Sequence, residues 1–426
     1  MELIIAFIIL VATIVIGVPV VYSFGLTSIW LVYSLGFDAS FVYTTMYSKM
    51  NGVVLLAIPL FIILGGVMEK GGVGSALVEM VEAFIGRLKG ALCFVASVAC
   101  AVFGAICGSG AATLSCIGSI LAPKMRDRKY PMGIAAAVLA CSAPIGMLIP
   151  PSSIQILIAW AGNLSVLRCF LATIIPGIIL TILIGIVGVV LCKKYPDIVV
   201  TEKLPLNQQA ARAGKKTLTA IPALVMPLIV LGGIYGGIMT PTEAAAVAAF
   251  YGLIVGVFLY REMDFKTVCS SCVTSCETSS IIIVLMAMAT LFGNIMTIED
   301  VPGTIARWML SITESKIIIL LLINVLLLIV GVFMEALAAI VILAPILLPV
   351  VTGVGVSPLH FGIIMVVNLA IGFLTPPVGV NLFVASGVAQ AKIEKISVAV
   401  LPMIALMLIV LAIITYCPSV PLMLVH

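Results

Sequence analysis

The chain has 426 residues, of which 63% are Ala, Val, Ile, Leu, Met, Phe, Trp, Tyr or Cys and only 9% are charged, 21 Lys and Arg against 17 Asp and Glu. Soluble globular chains carry about 25% charged residues, so a water-soluble enzyme is excluded, and a net charge of +4 spread along the sequence supplies no basic tract for nucleic acid. Apolar runs such as Ile317 to Val332 fill whole blocks instead of alternating with period two, which predicts membrane helices and not a β-barrel. At ~20 residues per span the length accommodates roughly ten to twelve.

After Glu2 the apolar run continues without a cleavage site, so no cleaved signal peptide is expected, and Leu3 to Leu35 reads as one span or two. Leu77 to Leu88 places apolar residues at 77, 81, 84, 85 and 88, with Glu79, Glu82 and Arg87 elsewhere; this predicts a helix lying along the membrane surface as an arm. Between two apolar arms, about 91–122, lies Gly104 to Thr113, GAICGSGAAT. Gly108 and Gly110 around Ser109 suit the tip of a re-entrant hairpin, which frees carbonyls of one arm for a cation and aims the amide end of the next at an anion. Close packing of two helices at small residues is the alternative. The next segment, about 132–161, is broken at Leu148 to Ser153, LIPPSS: Pro150 and Pro151 remove two amide donors next to Ile149, and Ser152 and Ser153 are placed to cap the helix that follows.

The longest polar stretch, Lys193 to Lys216, divides the chain into halves, 1–192 and 218–426, joined by a linker at 193–217. Beyond it, Thr240-Pro241-Thr242-Glu243 reads as a capping box at a helix start. Cys269, Cys272 and Cys276 sit among Ser270, Ser271, Thr274 and Ser275, a pattern that suits close helix packing better than a metal or redox box. With only His360 and His426 in the chain, haem, zinc and copper lack their usual ligand, and the absence of G-x-x-x-x-G-K-[ST] argues against a bound nucleotide.

A shift of 226 residues lays Gly146, Pro150 and Pro151 on Gly372, Pro376 and Pro377, Pro123 on Pro349, and Pro176 on Pro402. The same shift makes 317–349 a second hairpin, with Gly331 and Glu335 at its tip, and 360–389 a second broken helix whose break offers Thr375, Gly379 and Asn381. An acid inside a membrane segment is a functional candidate by default; a carboxylate at the membrane edge is the alternative. Asn294 and Asn368 either add ligands or bond a neighbouring helix. The basic loop at Lys124, Arg126, Arg128 and Lys129 maps onto Val350 to Gly355, which has no base, while Arg261 and Lys266 map onto Leu35 and Ser40. Basic loops thus alternate between halves, which predicts inverted repeats, with Arg87 to Lys89, 124–129, the linker, 261–266 and Lys392 to Lys395 on the cytoplasmic side.

IGVPV near the start, AIPLFIILGGVM, GAICGSGAAT, YPMGIAAA, IPPSS, TPTEAAAVAA and LTPPVGVNLFV, in this order over nearly the whole chain, resemble the large membrane subunit of tripartite ATP-independent periplasmic (TRAP) transporters. The resemblance implies an all-α polytopic fold of inverted repeats and an elevator-type importer in the bacterial cytoplasmic membrane. It implies Na+ as coupling ion, a separate small membrane subunit, and a periplasmic substrate-binding protein delivering an organic acid such as a C4-dicarboxylate, sialic acid or another sugar acid. Carried over, the ion sites lie at the two breaks, around Gly108, Ser109 and Pro150, and around Glu335, Thr375 and Pro376. Two other readings stand beside it: a stand-alone dicarboxylate or ion antiporter, and a membrane redox or enzyme subunit using the cysteine cluster.

Overall fold

The structure, a computed structural model, describes residues 2–85, 89–200, 206–313, 315–376 and 379–425, and the regular elements among them are helices. Leu3 to Leu35 is two of them, α1 (Glu2–Val15) and α2 (Val20–Ser34), packed against each other and parted at Gly17, whose φ is +92°. α3 (Ala39–Met50) leads through a tight turn into α4 (Ala57–Lys70) and α5 (Val73–Ile85). α6 (Ala91–Cys107) and α7 (Gly110–Asp127) form a hairpin; α8 (Met132–Ser142), α9 (Ile145–Leu148) and α10 (Ser153–Ala161) form one interrupted segment. α11 (Val166–Lys193) closes the first half. The second half holds α12 (Leu206–Tyr235), α13 (Pro241–Ile254), α14 (Phe265–Ile298), α15 (Val301–Ile312), α16 (Lys316–Phe333), α17 (Ala336–Gly353), α18 (Pro358–Gly372), α19 (Val380–Ala389) and α20 (Ile393–Tyr416).

Eight helices among the described residues are long and apolar enough to cross a membrane, nine with the pair 132–148 and 153–161, which bends by 47° at the Pro150-Pro151 break. The expected ten to twelve is too many for a physical reason. Helices such as α6 and α18, at 17 and 15 residues, rise only about 22–25 Å against a hydrocarbon core of ~30 Å.

Backbone features recur at the 226-residue spacing. Asp38 and Asp264 are N-caps that accept amide hydrogens with their side chains, of α3 and α14 respectively. Ser109 and Glu335 do the same for α7 and α17. Lys129 and Gly355 both have positive φ, 57° and 75°, two residues before the N-caps Pro131 and Ser357.

Packing interleaves the halves. α10, beyond the first break, lies against α17 of the second hairpin, while α19, beyond the second break, lies against α7 of the first. The first hairpin is closed, α6 on α7; the second is splayed, with α16 along α18 and α17 along α14. A smaller apolar cluster joins α1, α2 and α14, where Phe292 receives Phe24 and Phe7 edge-on at centroid distances of 5.2 and 6.1 Å. The expected arm is α5; Arg87 and Leu88 lie outside the described residues. Its apolar face, including Val73, Leu77 and Val81, is buried, and its acids are paired: Glu79 with Lys216 at 2.6 Å, and Glu82 with Lys124 at 3.1 Å and with Arg128.

Candidate functional site

At the first hairpin tip the chain turns through Gly108, whose φ of +64° suits glycine and whose N–H donates to the Gly104 carbonyl at 2.7 Å. Ser109 is the N-cap of α7, and its hydroxyl accepts only a long bond from the Ala112 N–H, 3.4 Å. Thr113, a candidate ligand in the sequence, donates its hydroxyl to the Ser109 carbonyl at 2.7 Å and so ties the tip internally. Fourteen of the seventeen residues of α6 are buried, so glycine at the crossing points is a spatial requirement.

The tip rests on the first break. A Cβ on Gly108 would lie 3.2 Å from the Pro151 carbonyl oxygen and 3.3 Å from Ser152 Cα; one on Gly146 would lie 2.6 Å from Gly104 Cα; one on Gly110 would overlap Met147. Ile149 and Ser152 are extended on either side of the two prolines. The sequence assigned helix capping to Ser152, and the structure corrects this. Ser152 occupies the N-cap of α10, yet its hydroxyl makes no cap bond, is fully buried and has no partner. The carbonyls freed by the break are taken by Gln155, which the sequence reading missed. Its Nε2 donates to Met147 O at 3.0 Å and Leu148 O at 2.7 Å, leaving Oε1 buried and unpartnered. The available signal was a lone amide side chain in the apolar run IQILIAWA.

At the second tip Met334 is extended and Glu335 caps α17, its carboxylate accepting the Leu337 N–H at 3.1 Å and the Ala338 N–H at 3.4 Å. Gly331 meets the C-terminal end of α18: a Cβ there would lie 3.1 Å from Gly372 Cα. At the second break, Thr375 donates to Ile371 O at 3.0 Å, the Gly379 N–H donates to Thr375 O at 3.1 Å, and the Asn381 N–H reaches back to Phe373 O at 3.2 Å. Asn381 is buried and its Nδ2 is unpartnered. Pro376 is described; Pro377 lies outside the described residues.

Each tip therefore meets the break of its own half, but the two tips differ in electrostatics. At α17 the amides of the first turn are occupied by the fixed acid of Glu335. At α7 the corresponding position is a neutral serine with one long bond, so the partial positive charge of that helix end is not offset by a fixed acid.

Other candidates resolve into structural roles. Asn368 donates to Asn324 Oδ1 at 2.6 Å, and Asn324 donates to Thr415 at 3.2 Å, a chain that ties α18 to α16 and α20. The Thr240–Glu243 capping box forms. Ser271 and Ser275 face α4, where a Cβ on Gly66 would come within 2.6 Å of Ser275 Oγ; Cys269 and Cys276 are exposed. That is close helix packing, as expected. Outside the membrane-spanning segments, burial pushes the Glu82 carboxyl up, but Lys124 and Arg128 outweigh it and hold the group below the usual carboxylate range.

Residues 7–420 match the family described as tripartite ATP-independent periplasmic transporter, DctM component. Over 410 residues the chain is 48% identical to the isethionate TRAP transporter permease protein DctMQ of Oleidesulfovibrio alaskensis; this covers 96% of the chain and 64% of that relative, so the chain spans less than two thirds of its length. It is 38% identical over 379 residues to the C4-dicarboxylate TRAP transporter large permease protein DctM of Pseudomonas aeruginosa, covering 88% of the chain and 87% of the relative. The Alcanivorax borkumensis YdaH transporter, at 18% identity, has a similar fold over 89% of each chain, with a TM-score of 0.64. The family match over residues 7–420 and the identity to permeases, on a chain whose described regular elements are helices and include eight of span length, place this multi-pass integral membrane protein in the DctM-component family of tripartite ATP-independent periplasmic transporters.

Proposed function

We propose that this chain is the large permease of a tripartite importer that takes a small organic anion from a periplasmic binding protein, works with a separate small membrane subunit, and couples uptake to Na+. The observation that carries the reading is the contrast between the two hairpin tips. The α7 amide end beside Ser109 receives the carboxylate or sulfonate; the α17 end, already occupied by Glu335, attracts a cation instead. The donors suit Na+, since Glu335, Thr375 and the Pro376 carbonyl at one break, and Ser109, the unpartnered Ser152 and the carbonyls of Gly108 and Pro150 at the other, are hard oxygens. The relatives named for isethionate and for C4-dicarboxylates support a small sulfonate or carboxylate as the substrate. The halves are read as inverted repeats, 1–192 and 218–426, whose hairpins and broken helices move together as the elevator body.

The test is uptake of labelled isethionate, succinate and sialic acid into proteoliposomes containing this chain and its small subunit, with and without binding protein and a Na+ gradient. Uptake of one anion that needs both is the expected result. Uptake independent of the binding protein would replace the reading by a stand-alone transporter, and uptake by Glu335→Gln with unchanged Na+ dependence would remove the cation from the second tip.

A further inference from the structure

Away from both hairpin tips, a crevice of about 730 Å³ opens where the start of α8, the end of α11 and the start of α20 converge. Its walls are apolar, formed by Met132, Ile134, Leu191, Val398, Ala399 and Pro402, while Tyr195, Glu394 and Lys395 stand at one end. It is open to the outer surface of the molecule: Val398 is 70% exposed and Tyr195 44%. Lys395 belongs to the wall itself, because a Cβ on Gly133 would lie 3.0 Å from its Cβ.

The charge around this end is lopsided. Glu394 and Lys395 line the crevice, and the three segments that flank its lining residues in the chain, 124–131, 192–197 and 390–395, hold eight Lys and Arg against three Asp and Glu. Glu82 engages Lys124 and Arg128, so six bases remain against Asp127, Asp197 and Glu394. Loop charge puts these segments on the cytoplasmic side, where the leaflet is anionic. An apolar trough flanked by basic segments and lined at Tyr195 by an amphipathic ring has the chemistry of a lipid site and not of a free-anion site, since a free anion would leave the trough unfilled.

We propose that this crevice binds an anionic phospholipid of the cytoplasmic leaflet, with one acyl chain along Ile134, Leu191 and Val398 and the phosphate against Lys395 and the Tyr195 hydroxyl. Because α8 and α11 come from one half of the chain and α20 from the other, the lipid bridges the two halves at their cytoplasmic ends.

The experiment uses the full-length chain purified in mild detergent and equilibrated with equal amounts of phosphatidylglycerol and phosphatidylcholine, with retained lipid read by native mass spectrometry. Wild type is expected to retain phosphatidylglycerol preferentially. The variant Lys392→Ala with Lys395→Ala should still carry lipid but lose the preference, roughly fivefold for each lysine removed. Ala399→Trp, which fills the trough, should retain neither lipid; its own unfolding transition reports its fold, and added phosphatidylglycerol should raise the wild-type midpoint and leave the variant's unmoved. Equal retention of both lipids by wild type, an undiminished preference in the double lysine variant, or wild-type retention by Ala399→Trp would each overturn the proposal.

Discussion

At the scale of single residues, Gln155 shows how a broken helix is made tolerable. Two prolines leave carbonyls without donors in an apolar interior, and each buried unsatisfied group costs about 1–3 kcal/mol. One amide group satisfies Met147 and Leu148 together. Gln155→Leu, close in volume, is therefore expected to destabilise the protein by roughly 2–6 kcal/mol, twice a single loss, read as a lowered thermal midpoint; Ser152→Ala, which removes a hydroxyl that bonds nothing, should be far milder. Glu82 gives a pH-dependent case. Its pKa is lowered in the folded protein, so its contribution is present above the unfolded carboxylate value and lost as pH falls through the folded one. The midpoint difference between wild type and Glu82→Gln should stay constant from pH 8 to about 5.5 and shrink in stronger acid. A difference that grows on acidification would contradict the assignment. The PP pair and the GSG turn were legible in the sequence because proline and glycine act on their own backbone. Gln155 and Ser152 were not, since their roles depend on which buried groups lie opposite them.

At the scale of elements, the first break was readable to the residue, since α9 ends at Leu148 and α10 begins at Ser153, the limits of LIPPSS, whereas the arm read as ending at about 122 runs on to Asp127. Glycine, proline and capping side chains set such boundaries locally, whereas the splaying of α16 from α17 arises from competing neighbours and left no local trace. Close approach at glycine joins each tip to its break, Gly104 on Gly146 and Gly331 on Gly372. Gly104→Val should therefore abolish uptake or folding, measured by transport and by yield of monodisperse protein. Gly387→Ala provides the control, for no atom lies within 4 Å of an added Cβ there, and it should be near neutral.

At the scale of the whole molecule, interleaving decides which parts the proposed elevator motion would carry together. α10 on α17 and α19 on α7 join the two hairpins and both breaks, and α5 lies along α6 and α7 of the first hairpin, where the ion pairs of Glu82 with Lys124 and Arg128 add to the contact of its buried apolar face. On the proposed elevator motion, with α5 as the arm against which the body shifts, a disulfide between a cysteine at 74 and Cys116, where α5 meets α7, should reduce uptake at least tenfold, reversibly on reduction, while one between cysteines at 118 and 388, where α7 meets α19, should leave it intact. Equal inhibition by both would mean that the body does not move as a unit. The left-handed turns at Lys129 and Gly355 carry a last implication. A side chain in that conformation costs about 1–2 kcal/mol, so Lys129→Gly should raise the thermal midpoint modestly. On the inverted-repeat topology proposed above, the same change subtracts a positive charge from a cytoplasmic loop. On that topology conformational ease and correct insertion make opposite demands on residue 129, where the lysine would serve insertion, and the matching turn in the other half, without that duty, is glycine.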